Sequence, residues 1–182
     1  MDTSAQYDRA VSECRSVFIS KAKDYGTSWR VYRIISVVDQ IYIKAKRIRT
    51  IQEKKEQKIG DSIASEFKGI LNYAVIGLIQ LQLENDERQE LSIEELENLY
   101  DTHIHETKNL MMQKNHDYGE AWREMQQETF ADMILARLQR IRQILSNDGK
   151  TIMSEGIDAN LMDIINYSVF ALILISEGIH HS

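Results

Sequence analysis

The stretch Lys21-Ala22-Lys23-Asp24-Tyr25-Gly26-Thr27-Ser28-Trp29-Arg30 occurs a second time, as Lys114-Asn115-His116-Asp117-Tyr118-Gly119-Glu120-Ala121-Trp122-Arg123. The offset, 117 − 24 = 93 residues, holds onward: Asp39, Ile41, Arg47, Ile48, Arg49 and Ile51 return as Asp132, Ile134, Arg140, Ile141, Arg142 and Ile144. Between 21 and 51 the copies align without a gap, and 12 of 31 positions are identical. After one inserted residue, Ile70-Leu71-Asn72-Tyr73-Ala74-Val75 matches Ile164-Ile165-Asn166-Tyr167-Ser168-Val169. A repeat of this period means two copies of one structural unit.

Each copy reads as helical. The chain has no proline, its eight glycines sit mostly at breaks, and apolar residues recur at period 3.6. The spacing predicts helices over about Thr3 to Lys23, Ile34 to Lys55 and Ser62 to Leu83, then Ile93 to Asn115, Gln127 to Ser146 and Ile157 to Glu177. A glycine after Asp-Tyr can take a left-handed backbone and stop the helix before it. The third helix is apolar nearly all round through Ile70–Leu81, the mark of a buried central helix. Ser92-Ile93-Glu94-Glu95 has the form of a capping box. The expected fold is all-α: two similar three-helix units, residues 1–84 and 92–182, joined by a polar linker at 85–91. They pack about an internal pseudo-twofold axis into one compact unit.

Composition narrows the function. The 43% hydrophobic and 27% charged content is that of an ordinary globular protein. A net charge of −6 argues against a general nucleic-acid binder, whose phosphate contacts need a basic surface. Cys14 is the single cysteine, so no internal disulfide can form, which fits a cytoplasmic location. The start lacks the basic and apolar parts of a signal sequence, and the run Tyr167–Ile175 is too short to span a bilayer, so no membrane partner is expected. A monomer with an internal pseudo-dimer and a homodimer both remain open.

Four groups of residues could carry chemistry. Lys114, Asp117, Tyr118, Gly119, Trp122 and Arg123, with their first-half twins, surround a helix break with aromatic and charged groups. Tyr or Trp can stack on a base, and Lys or Arg can hold phosphate. The same residues also suit a plain helix-to-helix corner, with Trp plugging the joint. The acids Glu128, Asp132, Glu155, Asp158 and Asp163 lie on or near two helices of the second half. Carboxylates converging from facing helices are what Mg²⁺ requires, and Asp132, Glu155 and Asp163 are the candidate ligands. The first half has Gly69 where the second has Asp163, so a metal site would lie mainly in the second half. Arg137 and Arg140 share a face and could bind phosphate or pair with acids. Asn166-Tyr167 could read a base or sugar, or tie helices together. No phosphate-binding Gly loop, nucleophile elbow or zinc spacing is present.

The ordered set Lys-x-x-Asp-Tyr-Gly-x-x-Trp, a Lys/Arg-x-x-Arg-Ile helix, and a final helix with Asn-Tyr resembles a bacterial and phage family, nucleotide modification associated domain 1. The resemblance covers most of the chain as two tandem copies and implies a link to nucleotide metabolism without a stated reaction. A more distant similarity is to the MazG-like all-α nucleotide pyrophosphatases, which hold Mg²⁺ with acids on two helices, one motif being Glu-x-x-Asp. Here Asn160-Leu161-Met162-Asp163 has the Asp without the Glu, and Glu66-Phe67-Lys68-Gly69 has the Glu without the Asp.

Three readings follow. In the first, a Mg²⁺-dependent hydrolase cleaves an NTP or dNTP between the α- and β-phosphates. Glu128, Asp132, Glu155 and Asp163 would be its catalytic acids, and Lys114, Arg137 and Arg140 would stabilise phosphate charge. In the second, the same cleft binds a nucleotide without turnover, through Lys114, Asp117, Tyr118, Trp122, Arg137, Arg140, Asn166 and Tyr167. In the third, the shared residues serve packing alone.

Overall fold

Each predicted helix is present in the computed structural model, which describes residues 2–55, 60–151 and 155–182. The helices are α1 (Thr3–Tyr25), α2 (Ile34–Lys54), α3 (Ile63–Gln82), α4 (Ile93–Tyr118), α5 (Gln127–Ser146) and α6 (Ile157–Ser176). A short 3₁₀ turn follows α1 at Ser28–Val31 and its twin follows α4 at Ala121–Glu124. Helix starts are set by small acceptors: Asp2 accepts from the Ala5 N–H, Ser62 from Ser65 and Ser92 from Glu95. The box at Ser92 forms by half, since the Glu95 carboxylate turns to Arg88 at 2.8 Å.

The first and fourth helices run on to Tyr25 and Tyr118, beyond the sequence expectation, because the stop is the glycine that follows. Gly26 has φ 66° and ψ −149°, and Gly119 has φ 63° and ψ −154°. This is not the left-handed helical region that the sequence suggests. It is a region open to glycine alone, so the corner demands glycine more strictly than an ordinary helix end does.

The six helices stack as three pairs. α3 and α6 lie against each other at the centre, α2 and α5 cover one side, and α1 and α4 cover the other. Central position explains composition. Phe67, Ile70, Leu71, Ala74, Val75 and Ile79 of α3 and Leu161, Ile164, Ile165, Val169 and Leu174 of α6 are buried. By length and apolarity α6 passes as a membrane span, and its apolar stretch reaches beyond the Tyr167–Ile175 run; 72% of the window is buried inside the protein, the place of a core helix.

Contacts between the repeats are reciprocal, as a twofold requires. Arg15 reaches Asp101 at 2.7 Å and Lys108 reaches Asp8 at 2.7 Å, each pair being the copy of the other at offset 93. Arg142–Asp39 at 3.0 Å and Arg49–Asp132 at 3.9 Å form a second such couple. The deepest exchange is polar. Tyr100 of α4 donates to Asn72 of α3 at 2.8 Å, and Tyr7 of α1 donates to Asn166 of α6 at 2.8 Å. Asn72 then donates to the Cys14 carbonyl at 3.0 Å and Asn166 to the Thr107 carbonyl at 3.2 Å. Each repeat thus satisfies the central asparagine of the other, and burial of these amides costs little.

Candidate functional site

Both corners open onto a cleft, and the two clefts are copies that have diverged. The helix stop leaves an aromatic, Tyr25 or Tyr118, standing out at 73% and 78% exposure. The following 3₁₀ turn directs Trp122 inward against Phe170 of α6, and its twin Trp29 toward Phe18 of α1. The lysine one turn before the stop, Lys21 or Lys114, lines the wall.

In the second repeat the cleft is small, about 250 Å³, and mostly apolar, with Met111, Met125, Met133, Phe130 and Phe170 among its lining. Its floor carries Asp163, which is 4% exposed. One carboxylate oxygen accepts from Lys114 Nζ at 2.9 Å and the other from Arg137 Nε at 3.1 Å. Arg137 also donates to the Tyr167 hydroxyl at 2.9 Å and lies 5.6 Å from its ring centre. Phe170 stacks on Trp122 at 4.2 Å and 6°, and the Arg123 guanidinium lies over the same ring at 4.4 Å. Two groups that close to one ring occupy its two faces, so neither face is open to a base. The Trp122 indole N–H is buried without a hydrogen-bond partner among the described residues.

The residues expected to hold Mg²⁺ are not gathered. Among the described residues no three His, Cys, Asp or Glu side chains group closely enough for a metal ion. Asp163 is committed to two cations. Asp132 is 62% exposed and faces Arg49 across the repeat interface, while Glu155 and Glu128 are exposed elsewhere. This donor set does not fit a divalent cation, which needs several converging oxygens. Of the other expected ligand contacts, Asn166 is consumed by Tyr7 and Thr107, Asp117 is exposed beside His116, and Arg140 is exposed with no partner among the described residues. Lys114, Tyr118 and Tyr167 remain on the cleft wall.

The first-repeat cleft is the larger, about 540 Å³. Tyr25, Trp29, Tyr32 and Tyr73 line it with Lys21, Lys44 and Lys68. Arg30, the counterpart of Arg123, turns away from Trp29. It binds Gln80 and the carbonyls of Arg88 at 2.9 Å and Asp86 at 2.6 Å, strapping the linker to the corner. Phe18 meets Trp29 only at a tilt, 6.1 Å between centres. Glu66 is buried, accepts from Arg47 at 3.0 Å and stands 3.6 Å from Lys44. Lys68 pairs with Glu13 at 3.0 Å. Burial, with Tyr32 nearby, raises the Tyr73 hydroxyl above the ordinary phenol range, so it is a neutral donor at pH 7.

The profile of the family described as nucleotide modification associated domain 1 matches residues 21–81 and again 114–175. The chain belongs to that family. The two matched segments coincide with the two clefts, each running from the corner lysine to the end of a central helix. No curated protein and no solved structure matches the chain, and nothing in these comparisons adds the MazG-like enzymes to the relationship. The family description ties this domain to nucleotides and names no reaction. Sequence reasoning placed the site in the second repeat. The larger, aromatic and lysine-lined cleft lies in the first, and the signal that maps its residues is the repeat itself.

Proposed function

We propose that the protein binds a nucleotide in the first-repeat cleft and holds it without hydrolysing it. The observation that carries this is the lining of that cleft. Trp29, Tyr25 and Tyr73 offer faces and edges for a base, and Lys21 and Lys44 offer charge for phosphate, in a volume of about 540 Å³. Membership of a nucleotide-associated family supports the choice of ligand class. Turnover at an α–β phosphate bond needs Mg²⁺ held by converging acids, and Asp132, Glu155 and Asp163 stand apart with Asp163 neutralised.

The test is a thermal-shift and calorimetric screen of the full chain against the common NTPs, dNTPs and monophosphates, with Mg²⁺ and with EDTA. Stabilisation that persists in EDTA, without release of pyrophosphate, is the expected result. Release of pyrophosphate in Mg²⁺ would establish the hydrolase reading in its place. Absence of binding across the panel would leave the packing reading.

A further inference from the structure

The second repeat holds an anion of its own. Asp163 sits between Lys114 at 2.9 Å and Arg137 at 3.1 Å, on the floor of its cleft. The repeat maps Lys114 onto Lys21, Arg137 onto Lys44 and Asp163 onto Gly69. The first repeat therefore keeps both cations and lacks a carboxylate at that position.

The geometry agrees with the sequence mapping. A Cβ built on Gly69 would stand 2.9 Å from Lys44 Cε and 3.1 Å from its Nζ, so the ammonium lies directly over the glycine. Lys21 lines the same cleft and forms no ion pair with the described residues. Glu66 does not quench this charge by itself. Its nearer partner is Arg47 at 3.0 Å, against 3.6 Å for Lys44. Glu66 and Asp61 also line this cleft, but where the second repeat has Asp163 the first has no carboxylate, and the flexible end of Lys44 lies across Gly69 instead.

We propose that this position is a phosphate seat. The anionic group of the ligand takes the place of the Lys44 end over Gly69, held between Lys21 and the displaced Lys44 ammonium, in the position that the Asp163 carboxylate fills in the other repeat. Asp163 is a built-in anion that closes the second cleft to such ligands, so the chain binds one equivalent. The seat rests on the nucleotide-binding reading for its ligand class, but its position can be tested separately.

The experiment is calorimetry on the full chain with inorganic pyrophosphate and with the NTP and dNTP panel. Gly69→Asp would place a carboxylate between Lys21 and Lys44, and only the flexible end of Lys44 must shift to admit it. It is expected to weaken both probes by about tenfold or more, the value of a charge-assisted contact. Should that variant not fold, the Lys21→Ala/Lys44→Ala double variant reads the same loss. Asp163→Gly is expected to raise pyrophosphate stoichiometry from one to two. Nucleotide affinity unchanged in folded Gly69→Asp or in the double lysine variant would overturn the seat and leave the nucleotide reading standing. Pyrophosphate binding that these variants abolish, with no nucleotide bound by the wild type, would keep the seat and overturn the nucleotide. Stoichiometry of one in Asp163→Gly would overturn the closing role of Asp163. No binding of either probe would overturn both proposals.

Discussion

Replacing Asp163 by Asn removes one charge and almost no volume, so its effect isolates the electrostatics of the second cleft. The Asp163 side chain is 6% exposed, and its partners differ sharply: Arg137 is 18% exposed and Lys114 43%. The Arg137 bond is charge-assisted and largely shielded, worth about 1.5–3 kcal/mol. The Lys114 bond is screened by water and contributes no more than about 1 kcal/mol. Loss of the carboxylate also leaves Arg137 partly buried beside a neutral group, although the Tyr167 hydroxyl still accepts from it. The expected destabilisation is about 2–3 kcal/mol, just below the range for breaking a fully buried pair, because Lys114 can rehydrate. For a chain of this size it lowers Tm by roughly 4–12 °C. Urea unfolding of wild type and variant, followed by circular dichroism, measures it. A loss below about 0.5 kcal/mol, the level of an ordinary surface substitution, would refute the claim that Asp163 is a neutralised structural anion.

Gly119→Ala meets no neighbouring atom within 4 Å, so its cost comes from the backbone alone. A destabilisation of about 1–3 kcal/mol is expected in denaturant unfolding, and a neutral result would show that the corner relaxes. Tyr7→Phe strands the oxygen of the buried Asn166, and Tyr100→Phe that of the half-buried Asn72. Both should lose stability, Tyr7→Phe about 1–3 kcal/mol and Tyr100→Phe less, and a neutral result for Tyr7→Phe in denaturant unfolding would contradict the exchange. Burial lowers the pKa of His103, only partly opposed by Glu106, so the unfolded chain takes up its proton at a higher pH than the fold does. That contribution to stability is complete above the ordinary histidine pKa of about 6.5 and is lost as pH falls below it. His103→Gln should flatten the fall in unfolding free energy between about pH 6.5 and 5, whereas an unchanged slope would assign it to other groups.

The fold was legible because its signals are local. Absence of proline, the period-3.6 stripes and the paired glycines fix six helices to within a few residues, and the 93-residue offset imposes the symmetry. Long-range partnerships were not legible. Tyr7 and Asn166 are 159 residues apart, and nothing in either neighbourhood announces the bond between them. The acids show the same limit. In sequence, Asp163 facing a metal and Asp163 facing two cations read alike, because the letter records the carboxylate and not what surrounds it. Trp122 reads as a stacking surface until Phe170 and Arg123 are seen on its faces. Gly69 is the sharpest case. Against Asp163 it reads as a lost ligand, whereas in space it lets the Lys44 side chain lie across its backbone.

The reciprocal Tyr–Asn bonds have a consequence for how this protein could diverge. Two identical subunits joined by the same contacts would copy any substitution into both clefts at once, so such a dimer would have two open floors or two closed ones. Joining the copies in one chain lifts that restriction. The crossed tyrosines hold the symmetric frame fixed, and positions 69 and 163 are free to follow separate histories.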